Sequence, residues 1–254
     1  MTDSFVPGPF EPRLALASLS GESDAAWAHR GADYAGAAFL GGIALDEPSR
    51  EAARALVERD RTEFLPADPL SWIDDQLAAL ADADLRAGVN VRATTPEPVR
   101  AAAEACAAHD AILEVNAHCR QPELRAVGCG ETLLADTDRL REYVASAAAA
   151  DATVSVKVRA EVDGVDLAET AAAVADAGAS VLHVDAMDSE SVVADVATAA
   201  PELFVVANNE VRDAVSVQEY LAYGADAVSV GRPSTEPVVL DRVRDALREA
   251  RVDA

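Results

Sequence analysis

Asp176-Ala-Gly178-Ala-Ser180-Val-Leu-His183-Val-Asp185 is a helix end, a turn and a strand in ten residues. Gly178 permits the left-handed residue that stops a helix. The run Val181–Val184 is nearly continuously apolar, as a strand buried on both faces must be. The same junction recurs at Leu221-Ala-Tyr-Gly224-Ala-Asp226, ahead of Ala225–Val230. Working outward, strand-like runs are expected at Leu14–Ser18, Gly36–Leu40, Gly88–Ala93, Ala111–Asn116, Thr153–Arg159, Ser180–Asp185, Leu203–Ala207 and Ala225–Val230. Ala-rich helical runs separate them at Asp24–Gly31, Pro48–Asp60, Asp68–Asp84, Pro96–Ala108 and Asp138–Ala149, and Glu236–Ala250 closes the chain. A loop with Pro122 and Gly128 to Gly130 is expected before Asp138. Repeated βα order implies a parallel sheet, and the number of units implies closure into a single (β/α)8 TIM barrel rather than an open doubly wound sheet. The length of 254 residues suits one such domain.

Composition narrows the function. Half the residues are hydrophobic but only 4 % are aromatic, so Ala, Val and Leu must fill the core. No apolar run reaches the roughly 20 residues of a membrane span. Met1–Pro12 lacks a basic segment followed by an apolar one, so no signal peptide is expected and the location is read as cytoplasmic. The formal net charge is −24, with 45 Asp and Glu against 21 Lys and Arg. Such a surface repels phosphate backbones at low salt. It is also what multimolar salt selects, where screening shortens to about 3 Å or less. Lys157 is the only lysine, which fits a halophile and makes that lysine conspicuous. Cys106, Cys119 and Cys129 have no metal-ligand spacing, no metal site is expected, and free thiols are the expected state.

Active-site residues of a barrel of this kind lie at the C-terminal strand ends. Asn116-Ala-His118-Cys119-Arg120 crowds reactive side chains at one strand exit, where a thiol can serve as proton donor or nucleophile. Lys157 alternates with Val154, Val156 and Val158 and should point into the barrel, where an ammonium needs an anionic partner. A phosphate, a flavin ring or a Schiff base would each supply the reason. His183 reads either as a satisfied core histidine or as a ligand contact. Asn208-Asn209 and Gly231-Arg232 end the last two strands, the usual phosphate site of this fold. Cys106 is expected in the core, Cys129 is expected as a loop thiol, and His29 and His109 as solvent-side helix residues.

Together these strand ends resemble the flavin-dependent tRNA-dihydrouridine synthase family, within the FMN barrels that include dihydroorotate dehydrogenases, and the composition resembles an archaeal, halophile-type member. The likeness runs from Leu14 to about Ala246. The family's first-strand pattern falls on Leu16-Ala-Ser-Leu-Ser-Gly21, and its flavin-contacting Gln on Asn90. Its Asn-x-Gly-Cys-Pro motif falls on Asn116-Ala-His-Cys119-Arg120, followed by Gly128-Cys-Gly-Glu-Thr-Leu-Leu134. Its Val-Lys-Ile-Arg falls on Val156-Lys157-Val158-Arg159, its His-Gly-Arg on His183-Val-Asp185, its Gly-Asn-Gly-Asp-Ile on Ala207-Asn208-Asn209-Glu210-Val211, and its Ile-Gly-Arg on Val230-Gly231-Arg232.

The resemblance implies an FMN enzyme that reduces the C5=C6 bond of uridine in tRNA, with NAD(P)H as reductant. Cys119 would be the proton donor and Asn116 would orient the ring. Asn90, Lys157, His183, Asn208, Asn209, Gly231 and Arg232 would hold FMN. The sequence departs from the family at His118, Arg120 and Asp185. Residues 1–254 are read as one FMN-binding barrel without a separate C-terminal RNA-binding domain. Three other readings stay open: FMN chemistry on a free pyrimidine or another small substrate, a non-catalytic FMN-binding barrel, and a Schiff-base lyase using Lys157.

Overall fold

The computed structural model describes residues 8–252. Eight parallel strands close in sequence order: β1 (Leu14–Leu16), β2 (Ala37–Ala44), β3 (Arg86–Arg92), β4 (Ile112–Asn116), β5 (Thr153–Arg159), β6 (Val181–Asp185), β7 (Phe204–Asn208) and β8 (Ala227–Val230), with β8 pairing back onto β1. The expected closed barrel is the observed one.

Helices alternate with the strands: α1 (Ala25–Gly31), α2 (Glu47–Val57), α3 (Pro69–Ala79), α4 (Pro96–Ala108), α5 (Pro122–Ala126), α6 (Glu131–Leu134), α7 (Thr137–Ala148), α8 (Leu167–Asp176), α9 (Val192–Ala199), α10 (Ala214–Ala222) and α11 (Pro237–Val252). The acidic composition serves their starts. Asp24, Asp46, Asp68, Asp136, Asp166 and Asp213 each accept a backbone N–H one turn into a helix, which places negative charge where the helix dipole favours it. Gly178 and Gly224 follow the ends of α8 and α10 at φ 105° and 91°, the left-handed conformation expected of them.

Several boundaries differ from expectation, among them the end of α3, at Ala79 rather than Asp84. β1 stops at Leu16, and Ser18 belongs to the loop above it. β2 runs on through Gly41 and Gly42 to Ala44, with a register shift against β3 between Gly41 and Ile43. The stretch from Pro122, expected as loop, contains α5 and α6. Residues 1–7 of Met1–Pro12, where no signal peptide was expected, lie outside the described residues. No helix among the described residues is long and apolar enough to cross a membrane.

The outward strand faces and the helices form the main apolar core. The barrel interior is layered. Phe10, Ala15, Phe39, Ile112, Val181, Val206 and Ala227 plug its N-terminal end. Two residues further along the strands, Asn90, Glu114, Ser155, His183 and Ser229 form a buried polar layer. Inward side chains recur every second residue, so the next ones up, including Arg92, Asn116, Lys157, Asp185 and Asn208, reach the mouth.

Candidate active site at the barrel mouth

Two adjoining cavities of about 480 and 370 Å³ open at the C-terminal strand ends, within the size range of ligand pockets. Both are lined by Ser18, Leu19, His118, Asp185 and Arg232. Asn116, Cys119, Arg92 and Arg159 border the first, and Lys157, Asn208, Asn209 and Gly231 border the second. The thiol and the lone lysine therefore meet at one mouth. The linings carry seven Arg or Lys side chains against four Asp or Glu, so the mouth is locally cationic on a chain of net charge −24.

Cys119 is half-buried above α2, packed against a small cluster that includes Leu56, Leu124 and Cys129. Its backbone is pinned on both sides. The N–H donates to Asn116 Oδ1 at 3.2 Å, and the carbonyl accepts from Glu131 N–H at 3.0 Å. Gly130 approaches so closely that a Cβ there would stand 2.0 Å from that carbonyl. The other thiols are sequestered. Cys106 sits in the core, as expected. Cys129 does not behave as a loop thiol: it is 1 % exposed and donates to Ala93 O at 3.3 Å. Burial pushes both of these thiols up to about 12. His29 and His109 contact Ala79 O and Asp74 on the outer surface.

Lys157 is 3 % exposed, and its side chain makes no hydrogen bond among the described residues. Burial pulls its pKa down from the ordinary lysine range, opposed by Glu114 and then Asp185. Asn90 and His183 are fully buried and border neither cavity. His183 Nδ1 lies 2.8 Å from Glu114 Oε2 and Nε2 lies 2.7 Å from Ser229 Oγ. Burial first, then Lys157, holds its pKa below the ordinary histidine range, so it stands as a neutral ring with both nitrogens satisfied.

Beyond Lys157 the wall is mainly backbone. Asn208 Nδ2 donates to Ser229 Oγ and O, Asn209 Nδ2 donates to Met187 O at 2.6 Å, and Tyr220 donates to both asparagine carbonyls. Asn209 has φ 104°, where the resemblance places glycine. A Cβ on Gly231 would meet no atom within 4 Å, so the backbone there borders open space. Arg232 is exposed at the same edge and reaches both cavities.

Five charged residues were not among the expected site residues. Arg92 and Glu63 form a buried pair at 2.7 Å, with side chains 3 % and 4 % exposed. Arg159 pairs with Glu131, and Glu114 lies under Lys157 in the layer below. Glu63 arrives on the loop after α2 and Glu131 at the start of the short α6. Arg92, Glu114 and Arg159 had a sequence signal: each shares its strand face, two residues away, with an expected site residue.

These groups fit FMN. An ammonium buried without a hydrogen-bond acceptor suits the polar edge of a flavin ring. The glycine bordering open space and the exposed arginine suit its phosphate.

Comparisons with known proteins agree. The family model described as dihydrouridine synthase (Dus) matches residues 46–253. An uncharacterized protein of Methanocaldococcus jannaschii is 26 % identical over 234 residues, covering 87 % of this chain and 89 % of its own. Among solved structures, DHODH from Eimeria tenella in complex with ferulenol aligns with TM-score 0.68 at 16 % identity, covering 95 % of this chain and 82 % of that one. A thiamine phosphate pyrophosphorylase from Pyrococcus furiosus aligns with TM-score 0.55 at 12 % identity over 93 % and 96 % of the two chains. The structural likenesses establish the barrel, and the family match extends over all but the first two of its strands. With thiol, buried lysine and anion edge gathered at its mouth, this chain belongs to the dihydrouridine synthase family of flavin-dependent oxidoreductases.

Proposed function

We propose that the protein reduces the C5=C6 bond of uridine in tRNA to dihydrouridine, using FMN with NAD(P)H as the reductant. The observation that carries this reading is the meeting of Cys119 and Lys157 at one cationic mouth. Bound and reduced, the flavin supplies a hydride for C6 of the uracil ring. Cys119 Sγ–H supplies the proton for C5, so one hydride and one proton together saturate the double bond. Asn116 holds the Cys119 backbone through its Oδ1 and thereby fixes where the thiol points. Lys157 would hold the bound flavin ring and place positive charge beside it. Gly231, Arg232 and the backbone of Asn208 and Asn209 would hold its phosphate. Asn90 and His183 act from beneath, through the residues they bind.

Local charge reconciles an acidic chain with an RNA substrate. The linings of the mouth carry seven cationic side chains against four carboxylates, while at high salt the remaining carboxylates act only at short range. A free pyrimidine is the second reading, favoured by Asp185, a carboxylate in both cavities that would repel a phosphate. One comparison separates them. Bulk tRNA from cells lacking the protein should lose dihydrouridine at one or more positions and regain it when the protein is restored. Unchanged dihydrouridine, with NAD(P)H-dependent turnover of free pyrimidines by the purified protein, would replace the first reading with the second.

A further inference from the structure

We propose that Glu114 is a positioning residue, which holds Lys157 as an ammonium ion and anchors the hydrogen-bond chain that fixes Asn116 behind Cys119. Glu114 is fully buried at the centre of the barrel. It accepts three side-chain hydrogen bonds: from Asn90 Nδ2 at 2.8 Å, from Ser155 Oγ at 3.1 Å and from His183 Nδ1 at 2.8 Å. A carboxylate only accepts, and that fixes the direction of every bond around it.

With its amide nitrogen given to Glu114, Asn90 has Oδ1 left to accept from Asn116 Nδ2 at 2.8 Å. Asn116 in turn has Oδ1 left to accept the N–H groups of His118 and Cys119 at 3.4 and 3.2 Å. On the other side, the proton on His183 Nδ1 leaves Nε2 to accept from Ser229 Oγ at 2.7 Å, and Ser229 Oγ accepts from Asn208 Nδ2 at 2.7 Å. The chain runs without a donor facing a donor from Asn208 in the phosphate wall to Cys119. A neutral, donating group at position 114 would break it at Asn90, Ser155 or His183.

The same carboxylate faces the lysine. On the inner face, Glu114 on neighbouring β4 stands one layer below Lys157, His183 on β6 pairs with it in register, Asp185 and Arg159 stand one layer above, and His118 follows β4; Glu114 and Asp185 are the anions whose charge acts on it. Of the two anions, Asp185 borders the open cavities and is screened, whereas Glu114 is sealed from water. Glu114 is therefore the partner whose charge Lys157 feels most. Burial pushes the Glu114 carboxyl up, but His183, Lys157 and Asn90 together outweigh it and keep the group an anion. What this arrangement does for the cofactor rests on the flavin reading above; the arrangement itself does not.

The test uses the solitary lysine. Expression with isotope-labelled lysine gives the whole chain one side-chain Nζ signal, read by NMR without cofactor or substrate. In Glu114→Gln the Lys157 titration midpoint should fall by about one pH unit or more. Glu114→Asp, which keeps the charge, should recover most of that fall. An unchanged midpoint in folded Glu114→Gln would overturn the proposal. Should neither variant fold, the wild-type His183 ring decides: the proposal requires a proton on Nδ1 and a bare Nε2 at neutral pH, and an imidazolium or the opposite tautomer contradicts it. All of these readings are independent of whether tRNA loses dihydrouridine, so the two accounts can fail separately.

Discussion

Cys119→Ala, loaded with FMN, should still be reduced by NADPH while its transfer to uridine falls by about 10²- to 10⁴-fold, the usual contribution of a positioned acid. No other thiol can replace it. Cys106 and Cys129 are buried, and burial pushes each up to about 12. His118 also borders both cavities, but burial and then the nearby Lys157 and Arg92 hold its pKa well below the ordinary histidine range, which makes it a poor proton donor at neutral pH. Single-turnover measurement separates the two half-reactions. Equal rates of uridine reduction in variant and wild type would remove Cys119 from the mechanism, whereas loss of both half-reactions would point to damage to the flavin site.

The second large effect is expected from Lys157→Met, which keeps length and removes charge. Flavin reduction should slow by about 10²- to 10³-fold, as when one preorganised electrostatic contact at a reacting centre is lost. Stability should fall as well, by about 0.5–3 kcal/mol, because Glu114 keeps its three hydrogen-bond donors but loses a cation that helps to hold it as an anion. Adding Glu114→Gln should return part of that loss, since groups in one buried network do not act additively. Denaturant unfolding of the single and double variants measures this. Wild-type flavin reduction in Lys157→Met would make the lysine purely structural, and strict additivity with Glu114→Gln would sever the link between the two residues.

The fold was legible because its signals are local. The glycines after α8 and α10 and the apolar run of β6 each need only a few residues of context, and the eightfold alternation follows from repeating them. β2 was read short because Gly41-Gly42 looks like a strand end; the strand instead absorbs the pair as a register shift. α5 and α6 span five and four residues, too short to show a helical period.

The site was legible where chemistry stands at a strand exit, as at Cys119, Lys157 and Gly231. Depth was harder to read. Asn90 and His183 lie on the expected strands, but each is two residues before its strand's last inward residue, Arg92 and Asp185, and so about 6–7 Å deeper in the barrel. That distance separates bordering the cavity from supporting it. Glu114 was missed for the complementary reason, since a carboxylate between Leu113 and Val115 becomes meaningful only when Asn90, Ser155 and His183 are known to face the same interior. The Arg92–Glu63 pair joins a strand to a distant loop and the Arg159–Glu131 pair joins one to the start of α6, and no spacing in the sequence links them.

FMN would bind at the mouth that Lys157 and Cys119 border. The most direct test is the visible absorption spectrum of the protein purified in high salt and then titrated with FMN. The prediction is a yellow protein, or a colourless one that takes up one FMN per chain, with binding weakened in Lys157→Met. A protein that stays colourless and leaves added FMN unbound would contradict it.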